Sequence, residues 1–181
     1  MASSFKPQRA RNRRTPSPVA LSSEQIDGII TTASAYPRWQ ITRDVVELLS
    51  ETGMRSKELC NLRVSDIDIA HNRLHISGAK TEGRYIPLTP RALNALQSLR
   101  AQYPSSSFVL GDKACLVLRR VSLTFRKIAG QIGVEGYSLH SLRHFFAMRL
   151  AYAGVDPMVL ARLMGHSSLR LTERYFKSDR S

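Results

Sequence analysis

The C-terminal part of the chain constrains the fold most, because its apolar residues recur at a helical spacing and a stop signal follows each run. The pattern predicts one helix over about 139–153 and a second from the N-cap Asp156 to a stop at Gly165. A third is expected to begin near Ser167 or Ser168 and to lead toward Tyr175. The side chains expected to face inward are Leu139, Leu142, Phe145, Phe146, Leu150, Val159, Leu160 and Leu163.

Polar groups recur in these helices at positions where a purely structural helix has no use for them. His140 and Arg143 are three residues apart, so they lie on one helical face and can converge on one target. His166 lies at the end of the second helix, and the hydroxyl of Tyr175, nine residues later, can return to the same pocket. Taken singly, such a histidine or tyrosine is usually structural. The combination indicates an active site.

The residues His140-x-x-Arg143, Gly165-His166 and Tyr175, in that order and at those spacings, resemble the C-terminal signature of the tyrosine recombinase (phage integrase) family. The resemblance runs from about Leu21 to Tyr175 and implies that family's catalytic domain, which is mainly α with a small antiparallel β-sheet. It also implies an activity: a site-specific recombinase or integrase that cleaves and rejoins DNA strands through a covalent 3′-phosphotyrosyl intermediate.

A second stretch resembles the box around the first catalytic arginine of the same family. It runs Thr52-Gly53-Met54-Arg55-x-x-Glu58-Leu59 and continues with Leu62-Arg63-x-x-Asp66-Ile67. Arg55 follows a glycine, which lets the backbone approach a ligand closely. The resemblance makes Arg55 a catalytic residue and Glu58 a structural acid beside it.

The remaining chain predicts helices and one β-hairpin. Helices are expected from about Leu21 to Pro37, from there to Gly53, from the N-cap Thr89 to before Pro104, and over about 116–132. Polar and apolar residues alternate over 73–77 and 84–88, which predicts a hairpin around a turn at 78–83. Lys80 lies at the tip of that turn, and Lys80-Thr81-x-Gly83 is similar to the family's hairpin that carries its catalytic lysine.

The candidate residues suit chemistry on a phosphodiester, which resists attack because nucleophile and phosphate are both electron-rich. An enzyme without a metal must therefore supply fixed cations. Arg55 and Arg143 can each donate paired hydrogen bonds to the non-bridging oxygens. His140 and His166 can add donors as charge builds in the transition state, and His140 is also a candidate to accept the proton of the nucleophile.

Tyr175 is the candidate nucleophile, and the resemblance makes Lys80 the acid that protonates the leaving 5′-oxygen. The ester bond is conserved in energy, so neither ATP nor another cofactor is expected. His140 and His144 are four residues apart, as in zinc-binding helices. Ser141 stands where such a motif carries Glu. No metal is therefore expected, and His144 is expected to pack or to bond the backbone.

The chain carries a formal net charge of +13 over 181 residues, which favours a polyanion, double-stranded DNA, as partner. Five of these charges lie in residues 1–20, which contain no acidic residue. This composition predicts a disordered basic tail, followed by a catalytic domain at 21–181. No apolar run approaches a membrane span and no signal peptide is evident, so we expect a cytoplasmic protein without a membrane partner. Cys60 and Cys115 are expected to be separate, small buried groups.

Three questions of organisation and class stay open at this stage. The family's separate N-terminal DNA-binding domain does not precede residue 21, which predicts either a naturally short recombinase or a piece of a larger enzyme. Self-association on DNA as a dimer or tetramer is expected, although only residues 176–181 remain for exchange between protomers. Two alternative functions share the fold: a DNA-binding regulator that does not cut, and a type IB topoisomerase that reseals one strand without partner exchange.

Overall fold

The predicted architecture, mainly α with a small antiparallel sheet, is confirmed in the computed structural model, which describes residues 20–77 and 83–176. The predicted tail up to residue 19 and the candidate Lys80 lie outside the described residues. The described helices are α1 (Ser23–Ser34), α2 (Gln40–Thr52), α3 (Ser56–Cys60), α4 (Pro90–Gln102), α5 (Ala114–Gln131), α6 (Leu139–Tyr152), α7 (Pro157–Met164) and α8 (Arg170–Glu173). None of these is long and apolar enough to cross a membrane.

Several helices begin and end at the capping residues that the sequence predicts. Thr89 Oγ1 accepts a hydrogen bond from a backbone N–H in the first turn of α4 at 3.2 Å. Asp156 Oδ1 does the same at the start of α7, at 2.7 Å. At the other end, α2 and α7 stop at Gly53 and Gly165, both in the left-handed conformation. These predicted boundaries are confirmed.

Helix α2 is the centre of the fold. It packs against α1, α4, α5 and α6, and its residues Leu48 and Leu49 are almost fully buried. Because neighbours cover α2 on several sides, a charged residue is buried as well. Glu51 accepts hydrogen bonds from Thr89 and from Arg149, each at 2.9 Å. These bonds satisfy the carboxylate and hold α4 and α6 against α2.

The sheet contains three antiparallel strands in sequence order, β1 (Ile67–Asp68), β2 (Arg73–Ile76) and β3 (Arg84–Pro87). Strands β2 and β3 are the predicted hairpin, in which Leu74 pairs with Ile86 and both are buried. Arg84 pairs with Ile76 at the end of the ladder next to the turn. Strand β1 was not predicted, because two residues are too short for an alternating pattern.

The buried apolar residues form two clusters. The larger one joins α1, α2, α4, α5 and the sheet. The smaller one contains Phe146, Ala147, Leu160, Met164 and Tyr175, which come from α6, α7 and the turn after α8. The end of the chain that carries the candidate nucleophile therefore packs against α6 and α7, apart from the main core.

The prediction that Val159 faces inward is wrong, since 47% of its surface is exposed. Helix α7 has eight residues and packs against α6, α8 and β3. Leu160, Ala161 and Met164 occupy the packed side. A helix covered on one side buries fewer positions than its apolar sequence suggests, and Val159 lies on the uncovered side.

The prediction for the two cysteines is also wrong. Cys60 ends α3 and is half-buried, whereas Cys115, in the first turn of α5, is exposed. Their Sγ atoms are 2.9 Å apart, although 55 positions separate them in the chain. The packing of α3 on α5 brings them together. Burial, and then the neighbouring sulfur of Cys115, raises the pKa of the Cys60 thiol to about 12.

Because the two sulfur atoms already touch, we expect glutathione disulfide to join Cys60 and Cys115 in the folded protein. Cys115, the exposed thiol, would form a mixed disulfide, and Cys60 would then displace reduced glutathione. Intact-mass spectrometry should show a loss of about 2 Da, one hydrogen from each thiol, that dithiothreitol reverses. The Cys60→Ser variant should stop at the mixed disulfide. Two thiols that stay free in the wild type under native conditions would contradict this contact.

Candidate active site

The candidate site lies where the C-terminal ends of α2 and α7 meet the first half of α6. Gly53 ends α2 with a φ of +62°, and a Cβ at this position would lie 2.2 Å from Cδ1 of Phe146. Only a glycine therefore allows α6 to approach here while the chain turns into α3. Arg55, the N-cap residue of α3, follows directly after this turn.

Arg143 lies on α6 and is only 3% exposed. Its Nη1 donates a hydrogen bond to the carbonyl oxygen of Gly53 at 2.6 Å, and its Nη2 donates to that of Met164. These carbonyls lie at the ends of α2 and α7, where the helix dipoles are negative. Burial, and next the charge of Arg55, lowers the pKa of this guanidinium to about 10. Arg143 is therefore still a cation at neutral pH.

Arg55 is more open to solvent, with 42% of its side chain exposed. Its Nη1 donates to Glu58 Oε1 at 2.8 Å and its Nη2 to the carbonyl oxygen of Gly165 at 3.1 Å. Burial would raise the pKa of Glu58, but hydrogen bonds from Arg84 and from the Arg55 backbone outweigh it and hold that pKa below its ordinary value. Glu58 is thus an anion that orients Arg55, in agreement with the structural role expected from the sequence.

Arg84, the first residue of β3, is a site residue that the sequence analysis missed. Its Nη1 and Nη2 donate to the two carboxylate oxygens of Glu58 at 3.0 and 2.8 Å. Its Nε donates to the carbonyl oxygen of Leu163 at 2.8 Å. No local signal in the sequence marks this residue, because an arginine at the start of an alternating strand is ordinarily solvated.

His166 follows the glycine that ends α7. Its Nδ1 lies 2.7 Å from Oγ1 of the buried Thr172. If Thr172 donates its hydroxyl proton to Nδ1, the ring proton is on Nε2, which can then act as a donor. Burial, followed by the charges of Arg143 and Arg55, lowers the pKa of His166 to about 4. The ring is therefore neutral at pH 7 in the DNA-free protein.

Tyr175 is 7% exposed, and its hydroxyl lies 3.0 Å from Nδ1 of His144. Its ring is nearly parallel to that of His166, with the centroids 6.4 Å apart. Burial raises the pKa of the phenol, while the nearby charges of Arg143 and Arg174 act in the opposite direction. At neutral pH the hydroxyl keeps its proton and needs an acceptor to become a nucleophile.

His144 is the second residue that the sequence analysis misjudged, because it was expected to pack or to bond the backbone. Its partner is instead the hydroxyl of Tyr175. The available signal was its spacing, four residues after His140 on one helical face. The two rings meet edge to face with centroids 4.8 Å apart. Burial first, and then nearby cations, lower the pKa of both histidines below the ordinary value.

The structure brings together five of the six predicted site residues, Arg55, His140, Arg143, His166 and Tyr175; the sixth, Lys80, lies outside the described residues. Beside them opens a cavity of about 310 Å³, whose charged lining residues are the cations Arg55, Lys57 and Arg84 and the acids Glu58 and Asp66. The charges of the arginines contribute to the lowered pKa values of the histidines. Within residues 20–77 and 83–176, no group of three or more His, Cys, Asp or Glu could hold a metal ion. The arrangement suits an anion.

We expect the pKa of His166 in the DNA-free protein to be about 4, because burial and the arginines disfavour its protonated form. Titration of the ring proton resonances by NMR measures this value. Replacement Arg55→Gln should raise the His166 pKa, because one cation is removed, whereas Arg91→Gln on α4 should leave it unchanged. A wild-type ring that titrates near the usual 6.5 would contradict the geometry described.

The phage integrase family model matches residues 20–181. Tyrosine recombinase XerC of Roseiflexus sp. (strain RS-1) is 31% identical over 171 residues, which cover 87% of this chain and 55% of that protein. Tyrosine recombinase XerA of Pyrococcus furiosus is 30% identical over 178 residues, 93% of this chain and 61% of that protein. The chain thus spans little more than half the length of these relatives.

Solved structures show the same fold. The crystal structure of XerA recombinase matches with a TM-score of 0.72 and 25% identity over 87% of this chain and 60% of that chain. The Tn1549 transposon integrase, solved in complex with circular intermediate DNA, matches with a TM-score of 0.76 and 22% identity over 90% of this chain and 62% of that chain. The fold and the match of residues 20–181 to the family model lead to one conclusion: this chain belongs to the phage integrase family, the tyrosine recombinases.

Proposed function

We propose that residues 21–181 are the catalytic domain of a site-specific DNA recombinase that cleaves and rejoins strands through a phosphotyrosyl intermediate. The observation that carries the proposal is the setting of Tyr175. The hydroxyl of this buried residue contacts a neutral histidine, and the charges of Arg143 and Arg174 act on both groups. A tyrosine with only a packing role has no need of a proton acceptor and fixed cations around it.

In the proposed reaction, Oη of Tyr175 attacks the scissile phosphorus, so that an O–P bond forms and the bond to the 5′-oxygen breaks. The phenol proton goes to a histidine. The sequence pointed to His140, but the 3.0 Å distance from Nδ1 to the hydroxyl favours His144. Arg55 and Arg143 would stabilise the charge on the non-bridging oxygens. Lys80 would protonate the leaving 5′-oxygen, the role that the family resemblance suggests.

His140 and His166 would donate hydrogen bonds to the same phosphate oxygens. For His166, the contact between Nδ1 and Thr172 supports this role, because it leaves Nε2 free to carry the donated proton. A neutral ring can donate one hydrogen bond without bringing a further positive charge into the site. Rejoining would be the same reaction in reverse, with another strand's 5′-hydroxyl as acceptor, and it requires no ATP.

Double-stranded DNA is the proposed partner, and exposed cations on α5 support it. Arg119, Arg120, Arg126 and Lys127 are exposed on this helix, while Val121 and Phe125 face the core. Contacts between such cations and DNA phosphates contribute strongly to affinity, and this contribution decreases as the salt concentration rises. We also propose that the basic residues of 1–20 add to this attraction, and that protomers associate on DNA, because exchange between two sites requires both to be held together.

A covalent-trapping experiment tests the nucleophile. We expect the wild type, incubated with a nicked DNA substrate and then denatured, to show a protein–DNA adduct that Tyr175→Phe does not form, because the variant has no hydroxyl to attack the phosphorus. Gel mobility of the denatured protein measures the adduct. Tyr137→Phe, outside the site, is the matched control and should form it. An adduct with Tyr175→Phe would rule out Tyr175.

The same assay separates the alternative functions. Retained DNA binding without any wild-type adduct would favour a regulator that occupies DNA without cutting it. If the adduct forms, relaxation of a supercoiled plasmid is compared with recombination between two sites. Relaxation alone would favour the type IB topoisomerase reaction over strand exchange.

The rate of adduct formation should depend on pH through His144. Burial first, and then His140, Arg174 and Arg143, keep the pKa of His144 below its ordinary 6.5, so the ring is neutral at pH 7 and can accept the Tyr175 proton. We expect a rate that is flat above pH 7 and falls as the pH drops below 6.5, when the ring becomes protonated. Single-turnover cleavage at DNA concentrations well below saturation, where the rate reports the pKa values of the free protein, measures this profile.

His144→Gln should cleave about 100-fold more slowly, the lower range for loss of a general base, and should lose the acid limb of the profile. His140→Gln provides the comparison, because it removes the other histidine of the pair and should keep the limb. If the decrease in rate at low pH persists in His144→Gln and disappears in His140→Gln, then His140 and not His144 accepts the Tyr175 proton.

A further inference from the structure

We propose that Arg84 is a positioning residue for strand transfer: it holds Arg55 in its phosphate-binding orientation and leaves the charge of Arg55 available to the substrate. The inference rests on the function proposed above. It concerns a residue on β3 that lies outside the six catalytic candidates and reaches Arg55 through Glu58 and Gly165, not by direct contact.

The first support is that Arg84 bonds one of the two groups that hold Arg55 and also bonds the chain two residues before the other. The guanidinium of Arg55 has two described partners, Glu58 Oε1 and the carbonyl oxygen of Gly165. Arg84 binds Glu58 with two parallel hydrogen bonds at 3.0 and 2.8 Å. Its Nε binds the carbonyl oxygen of Leu163, two residues before Gly165, at 2.8 Å. A shift of Arg84 would therefore move Glu58 and disturb the end of α7, which leads into the second anchor of Arg55, Gly165.

The second support is the close fit of Arg84 over Gly165. A Cβ at Gly165 would lie 2.7 Å from Nη1 and 3.0 Å from Cζ of Arg84. The guanidinium thus occupies the space that any larger residue at position 165 would fill. Only 13% of the Arg84 side chain is exposed, and three hydrogen bonds fix its plane. This is a rigid support for Arg55.

The third support is the charge balance. Glu58 lies 2.8 Å from Arg55. If Arg55 were the only cation paired with Glu58, the carboxylate would neutralise the charge that Arg55 needs to attract a phosphate. Arg84 is a second cation on the same carboxylate, also at 2.8 Å. The three groups together keep one net positive charge, and Arg55, the more exposed arginine, presents it to the cavity. Glu58 can then orient Arg55 without cancelling its charge.

The experiment compares Arg84 variants on two nicked substrates, one with the normal scissile phosphate and one with a neutral methylphosphonate at that position. On the normal phosphate at saturating DNA, Arg84→Gln should cleave about 100-fold more slowly, the typical effect of a misplaced catalytic group. Arg84→Lys should lie between Arg84→Gln and the wild type, because an ammonium keeps the charge but cannot form the planar pair of bonds. Arg91→Gln, which breaks an arginine–carboxylate pair between α4 and Glu47 on α2, should cleave like the wild type.

On the methylphosphonate, the deficit of Arg84→Gln should largely disappear, as should that of Arg55→Ala, because the substrate no longer carries the charge that Arg55 offsets. A variant that merely folds poorly would be slow on both substrates. Cleavage of the normal phosphate at the wild-type rate, or an equal deficit on both substrates, would overturn the proposal.

A crystal structure of DNA-free Arg84→Gln makes the proposal testable apart from catalysis. Arg55 should no longer donate to the carbonyl oxygen of Gly165. If Arg55 keeps that bond in the variant, Arg84 does not position it and the inference fails. If Arg55 moves while the wild-type protein forms no adduct with either substrate, the positioning contact stands and the proposed strand-transfer function is what fails.

Discussion

The rest of the site depends on the two hydrogen bonds of the buried Arg143 guanidinium. A cation removed from water is costly unless polar groups replace the lost hydration. Here the carbonyl oxygens of Gly53 and Met164 replace it, at the ends of α2 and α7. Each helix end carries about half a negative charge, so two ends together offset about one cation. The contact joins three helices and directs one charged residue toward the place where their ends meet.

The site carries more positive than negative charge. Arg55, Arg84 and Arg143 face one carboxylate, Glu58, and their mutual repulsion contributes to the low pKa of Arg143 and of the neighbouring histidines. A phosphate diester of the proposed DNA substrate would add negative charge here. It would relieve the repulsion and make protonation of the histidines easier, so binding of that substrate would be coupled to the protonation state of the histidines.

The sequence predicted the features that depend on residues close together in the chain. The caps at Thr89 and Asp156 act within the first turn of their own helices, so a few residues suffice to identify them. The roles of Arg84 and His144 depend on partners 26 and 31 positions away, Glu58 and Tyr175, which no local pattern reveals. The family resemblance identified the residues of the signature by position. It could not supply the contacts that orient them, because those arise only when the sheet, α6 and α7 have packed.

The turn that carries Tyr175 follows a helix of four residues, and this helix packs against α7 while Leu169 and Leu171 remain exposed. Tyr175 and Phe176 pack against the smaller cluster, and Thr172 contacts His166. Two of the residues in these contacts, Tyr175 and His166, are thus also groups proposed to act in the reaction. Such a segment can open at a lower free energy than the whole domain. Because Tyr175 both packs here and is the proposed nucleophile, a ligand that competes for the Tyr175 hydroxyl or the His166 ring would also loosen the segment from α8 to Tyr175.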